Sequence, residues 1–140
     1  MTYTAEELAF ANSVAKSLGY EQANTEIAAT VQPYRTEARA YGSTDVGDVS
    51  FAVPTVGMGA ATWVPGTPAH SWQAVAAGGT SIGHKGMIIA AKTLAMTTVD
   101  LLKDPNLVAR AQTEFQERRG AGFQYIPLLG DRKPALDYRK

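Results

Sequence analysis

Two histidines, two loop aspartates and no cysteine are the side chains from which this sequence could build a reactive site. His70 lies in Pro-Gly-Thr-Pro-Ala-His-Ser-Trp, directly after the most strand-like segment of the chain. A loop histidine at a strand end is well placed to be a metal ligand or general base, because ligating and catalytic groups concentrate on such loops. The competing role is an imidazole bonded to a backbone carbonyl that holds an irregular loop. His84, in Ser-Ile-Gly-His-Lys-Gly, opens a long apolar helix. A helix N-terminus disfavours imidazolium, so His84 reads as neutral and structural.

Asp45 and Asp48 fall in Gly-Ser-Thr-Asp-Val-Gly-Asp, residues 42 to 48. Paired carboxylates can bind metal or share acid–base work. Aspartates in loops of this composition more often close Asx turns on their own backbone. His70 and the two aspartates have none of the close His-x-x-x-His or Cys-x-x-Cys spacing of a zinc site. Glu6 and Glu7 open a helix and have no second histidine near them in sequence. The glycines of Val-Gly-Met-Gly-Ala-Ala-Thr (56–62) lack the third position of a dinucleotide fingerprint, and no helix follows them directly. Trp63 and Trp72 flank the His70 loop and could line a substrate pocket or pack into a core.

These residues must be positioned by one domain's worth of chain. A 140-residue protein buries roughly two-thirds of the surface that its unfolded chain exposes. Thirteen basic residues balance thirteen acidic ones, which leaves no net field to draw nucleic acid or an anionic membrane. Without cysteine there are no disulfides, thiolate sites or cysteine nucleophiles. That agrees with a cytoplasmic location, and the N-terminus has no signal-peptide pattern. The most apolar stretch, 87 to 102, is too short to span a bilayer.

Thr4 and Glu7 have the spacing of a capping box. Leu8, Ala11, Val14, Ala15 and Leu18 then share one helical face, with Gly19 as a stop. Residues 27 to 31 suit a short helix or an extended piece. Residues 42 to 48 suit a loop, 49 to 53 a short strand, and 55 to 64 a better strand with Val56, Met58, Ala60 and Thr62 on one face. Gly57 and Gly59 would bring another element close to that strand or weaken it. Residues 64 to 72 are too rich in proline and glycine for regular structure. A helix over 80 to 103 is apolar on more than one face, as for a helix buried against a sheet, although Gly83 and Gly86 blur its start. Asp104-Pro105 restarts the chain as an N-cap with proline at the first helical position. That second helix turns Leu107, Val108, Ala111 and Phe115 inward and ends at Arg118, Arg119 and Gly120, before a tail over 120 to 140 that reads as an extended arm. The expected fold class is α/β: a small sheet covered by helices, with an N-terminal helix and connector (1–41), a strand-loop-helix core (42–119) and the tail.

Four runs are longer and more ordered than short motifs: GSTDVGDVSFAVPT (42–55), PGTPAHSWQAV (65–75), SIGHKGM (81–87), and DLLKDP (100–105) after an apolar helix. Together they resemble the M20-type metallopeptidases and amidohydrolases, and within them the hydrolases of aminobenzoyl amino acids. The resemblance implies the C-terminal portion of a zinc-peptidase-like catalytic domain. It implies that His70 is a metal ligand, and that Asp45, Gly66, Thr67 and Ser71 frame the active site. Many members carry Ser-Glu-Asp-Phe where this chain has Ser43-Thr44-Asp45-Val46, which puts Asp45 in a framing rather than a ligating role.

The activity implied is hydrolysis of the amide bond of N-acyl or aminobenzoyl amino acids, with two divalent ions (zinc or manganese) polarising the carbonyl and lowering the pKa of a bridging water. The family's other ligands and its glutamate base belong to a part that this sequence does not contain. The chain is therefore expected to be inactive alone, to hold no metal pair by itself, and to need an N-terminal catalytic portion as partner. An uncovered strand edge and apolar area would make it self-associate. The alternative is a non-catalytic binding or interaction domain that keeps the fold without the chemistry.

Overall fold

The computed structural model describes residues 1 to 34 and 44 to 136. They form six helices and no strand: α1 (Ala5–Ser17), α2 (Glu26–Ala29), α3 (Val46–Ala52), α4 (Trp72–Gly78), α5 (Ser81–Lys103) and α6 (Pro105–Arg119). The expected α/β class, with its small sheet, is therefore overturned. The chain divides into two units, one of Met1–Arg39 with Gly57–Leu102, the other of Ala40–Val56 with Lys103–Lys140.

In the first unit, α1 begins as its capping box dictates. Thr4 Oγ1 accepts the Glu7 N–H at 3.2 Å, and Glu7 Oε2 accepts the Thr4 N–H at 2.7 Å. Ala11, Val14 and Ala15 are buried as the periodicity predicts, whereas Leu8 stays exposed. Around Ala11 and Val14 gather Val64, Ala77 and Ile82, with Tyr3, Phe10, Leu18 and Ala23 packed on the rim. Val64 and Ile82 are the largest fully buried side chains, each contributing about 1.5–3 kcal/mol. α4 is tied to α1 by Gln73, whose Nε2 donates to Ser17 Oγ at 3.2 Å.

Residues 55 to 64, read as the best strand, form no ladder. A strand is stable only when a neighbour takes its backbone groups, and no described segment pairs with this one. The glycines at 57 and 59 have open space where a side chain would stand. The close approach instead falls on two glycines of α5. A Cβ at Gly86 would lie 2.3 Å from the Ala61 carbonyl oxygen, and one at Gly83 would lie 2.4 Å from that of Gly78. Both glycines are buried, and only their missing side chains let the 61–64 segment and the α4–α5 turn sit against the helix.

Beyond Gly86 the expectation of a largely buried helix fails: Met87, Ile88, Leu94, Met96, Val99 and Leu102 are all exposed. In the second unit, residues 49 to 52 are helical in α3 rather than extended, and Val53 is its C-cap. Val53 N donates to Val49 O at 3.0 Å, and a short apolar run does not by itself distinguish strand from helix. α6 starts as predicted, with Asp104 Oδ1 accepting the Asn106 N–H at 3.0 Å. Leu107, Ala111 and Phe115 are half-buried, but Val108 is exposed. The first part of the tail is not a free arm. Phe51 of α3 stacks on Phe123 and Tyr125, with ring centroids 5.3 and 5.8 Å apart, and the Tyr125 hydroxyl donates to Asp48. That bond, ahead of desolvation, raises the Tyr125 pKa. No helix among the described residues is long and apolar enough to cross a membrane.

The strongest polar contact of the first unit is one carboxylate. Glu7, 6% exposed, takes the Lys85 ammonium on Oε2 and the Ser81 hydroxyl on Oε1, both at 2.6 Å, besides its own Thr4 N–H. The bonds to Lys85, then Ser81, then Thr4 lower its pKa from 4.5 to about 2. A depressed folded-state pKa adds stability above the unfolded value and loses it as pH falls through the folded one. The wild-type chain should therefore lose stability relative to Glu7→Gln as pH falls from 4.5 toward 2. Urea midpoints of the two chains across that range test this, and curves that stay parallel would dismiss Glu7 as the acid-sensitive contact.

Candidate functional site

The loop that carries His70 is built from its two ends inward. Val64 is buried and anchors the entry. Pro65 and Gly66 then occupy the corners of a turn closed by Thr67 N donating to Val64 O at 3.1 Å. Gly66 has φ +88°, the left-handed value that the third residue of a type II turn requires. At the exit, Ser71 caps α4. Its Oγ accepts the Ala74 N–H at 3.2 Å and donates to Pro68 O at 2.7 Å.

His70 stands between these two fixed points, exposed, with φ +59°. It is the non-glycine residue with positive φ among the described residues. A side chain in the left-handed region is uncommon and costs about 1–2 kcal/mol. The imidazole lines a surface concavity of ≈ 700 Å³ with Trp63, Ser71, Trp72, Ala74 and Val75.

Gly66, Thr67, His70 and Ser71 thus share one loop. Thr67 Oγ1 is buried with no protein partner. Asp45 belongs to the other unit. It precedes α3 without a side-chain capping bond, and the Val46 N–H reaches Thr44 Oγ1 instead, at 3.4 Å. Gly42 and Ser43 lie outside the described residues. His84 is exposed on the first turn of α5 and lines a second concavity of ≈ 400 Å³ with Ser81, Lys85, Ile88 and Ile89. Among the described residues no three His, Asp or Glu side chains converge on a point that could hold a metal ion. These residues do not by themselves fit a two-metal centre.

Reading the sequence missed two things. α4 was legible in Ser71, a good N-cap, followed by Trp-Gln-Ala-Val-Ala-Ala and a double-glycine stop. Glu7 was taken for a helix opener only. Its tie to Ser81 and Lys85 spans 74 and 78 residues, and no local pattern announces it.

One exposed imidazole on a pinned loop, lining a concavity with two indoles, is not by itself a metal centre. Over 105 residues the chain is 43% identical to a p-aminobenzoyl-glutamate hydrolase subunit of Escherichia coli (strain K12), a stretch that is 74% of this chain and 22% of that protein. The chain is related by sequence to this hydrolase subunit, as its four motif runs indicate, and spans about a fifth of its length. No family model matches the chain, and no solved structure matches it.

The strain at His70 predicts a separation of stability from site chemistry. His70→Gly should raise stability by about 1 kcal/mol, because glycine adopts φ +59° without a Cβ clash. His70→Ala should gain nothing. Equal denaturation midpoints for the two variants would show that the left-handed backbone carries no strain.

Proposed function

We propose that this chain is part of a metal-dependent amidohydrolase acting on p-aminobenzoyl-glutamate or similar N-acyl amino acids. It corresponds to a C-terminal portion of the catalytic domain and lacks activity alone. The observation that carries the reading is the 43% identity to a hydrolase subunit named for that substrate. His70 on its rigid loop supports it: a metal ligand must be held in place before the metal arrives, and a turn at one end with a helix cap at the other does that through backbone. In this reading His70 offers one imidazole to a zinc or manganese pair, Gly66, Thr67 and Ser71 shape the loop around it, and Asp45 takes part only if the complete enzyme brings its unit to the same site. The remaining ligands and the base come from polypeptide outside this chain, so no hydrolytic step is assigned to these residues alone.

The purified 140-residue chain should not release p-aminobenzoate from p-aminobenzoyl-glutamate with added zinc or manganese. The longest natural polypeptide containing it should do so, and His70→Ala in that polypeptide should lower kcat at least about a hundredfold, as for loss of a group that orients or charges the reacting centre. Turnover by the short chain that vanishes in His70→Ala would sink the partial-site reading.

The uncovered part of α5 carries the second consequence. Met87, Ala91, Leu94, Thr98 and Leu101 recur at three- and four-residue intervals and are exposed, the spacing of a helix–helix seam. Thr98 Oγ1 is already bonded to Leu94 O at 2.9 Å, so covering its methyl group strands no donor. Copies of the isolated chain should associate through this seam. Light scattering over a concentration series tests it, and Leu94→Glu should restore the monomer. A monomer at every concentration without that substitution would refute the association.

A further inference from the structure

The concavity beside His70 has an unusual lining. Trp63, Trp72, Ala74 and Val75 supply its apolar surface and His70 and Ser71 its polar groups, and among the described residues no lysine, arginine, aspartate or glutamate lines it. The Ser71 hydroxyl is already occupied at both of its bonds, as donor to Pro68 O and acceptor from Ala74 N. Trp72 is 64% exposed, Trp63 38% and Val75 80%, so two indoles and a valine stand in water side by side with the imidazole. Tryptophan is a costly residue to leave there, and its large face is suited to stacking on another planar ring.

The backbone at both tryptophans is also held in place. Trp63 precedes the buried Val64. Trp72 is the first residue of α4, fixed between the Ser71 cap and the buried Gln73 that bonds to Ser17. A surface built this way is preorganised, which lowers the cost of binding.

We propose that Trp63 and Trp72 form the recognition surface for an uncharged aromatic acyl group, and that this concavity takes the aminobenzoyl half of the substrate and excludes its dicarboxylate half. The assignment rests on the functional reading above for the identity of the ligand, but its chemistry comes from the lining. A benzoyl ring is planar and apolar, and it buries against indole without stranding a charge. The two carboxylates of a glutamyl group would lose water here with no cation to meet them, a cost of several kcal/mol per ion. The concavity is also large enough at ≈ 700 Å³, within the usual range for small-molecule sites. The amino-acid half must find its counter-charges outside this lining.

Trp63 and Trp72 are the only tryptophans of the chain, so the indole N–H resonances report on this site and nowhere else. The 15N-labelled chain would be titrated to millimolar concentration, the range for a half-open site, with p-aminobenzamide, p-aminobenzoyl-glutamate and glutamate. Saturable shifts of both indole signals with the first two and none with glutamate support the assignment. Trp72→Leu should weaken p-aminobenzamide about three- to tenfold, the worth of an aromatic pair, and Trp72→Phe should recover most of it. Silence of both indoles, or an equal response to glutamate, overturns the assignment. The functional reading fails separately. If the indoles respond but the longer polypeptide hydrolyses no aminobenzoyl amide, the aromatic site stands and the hydrolase reading falls. If that polypeptide is active and Trp72→Leu leaves its KM unchanged, the aromatic site falls and the hydrolase reading stands.

Discussion

The first unit depends on the carboxylate of Glu7. It closes the capping box that starts α1 and, through Ser81 and Lys85, fastens that start to the first turns of α5. Everything that places the candidate site follows from this junction. With α5 fixed, Gly86 admits the Ala61 carbonyl and Gly83 admits the α4–α5 turn. Ala61 in turn sets the path into buried Val64, from which the His70 loop departs. A buried charge is tolerable only when its bonding capacity is filled, and here three donors fill it. Removing Lys85 would leave that carboxylate without its cation, with the Ser81 hydroxyl as the donor that α5 still offers it.

What could be read from the sequence was whatever local chemistry decides. The Thr4–Glu7 box, the Asp104-Pro105 start and the Pro65-Gly66 turn each act over three or four residues, and each is found where the pattern puts it. Strands are different, because a strand exists only by virtue of a neighbour. Val56, Met58, Ala60 and Thr62 have the alternation of a half-buried strand, but the described chain supplies no second edge for their backbone. The same residues therefore lie in irregular, unpaired backbone. Residues 49 to 52 went the other way, since four apolar or small residues starting with a valine fit a helical turn as readily as a strand.

The glycines show the same division between local and distant causes. Gly57 and Gly59 looked like close-approach positions because they interrupt an alternating pattern, and they face open space. Gly83 and Gly86 looked like defects in a helix, with a cost of up to about 1 kcal/mol each relative to alanine, and they are where other backbone segments make contact. Only the tertiary neighbour distinguishes a weak helical position from a required one. The burial of α5 was misjudged for a related reason. A helix apolar on several faces needs several neighbours, and the described residues cover only its first two turns.

The candidate site was legible in part because it is held by backbone. Gly66 and Ser71 are identifiable as turn and cap from their residue types, so the rigidity of the loop between them could be foreseen. The left-handed conformation of His70 could not. Histidine enters it more often than most side chains but still uncommonly, and here the conformation is imposed by the short span between a closed turn and a fixed N-cap. That span leaves the chain little choice of path, and the strain it places on His70 is borne by the Val64 anchor and the Ser71 cap. A side chain positioned this way needs no hydrogen bond of its own to hold its place. The same two anchors hold the backbone of the tryptophans on either side. Imidazole and aromatic surface are therefore set by one piece of backbone, and a substitution at Val64 or Ser71 would disturb both together, whereas one at Trp72 would disturb the aromatic surface alone.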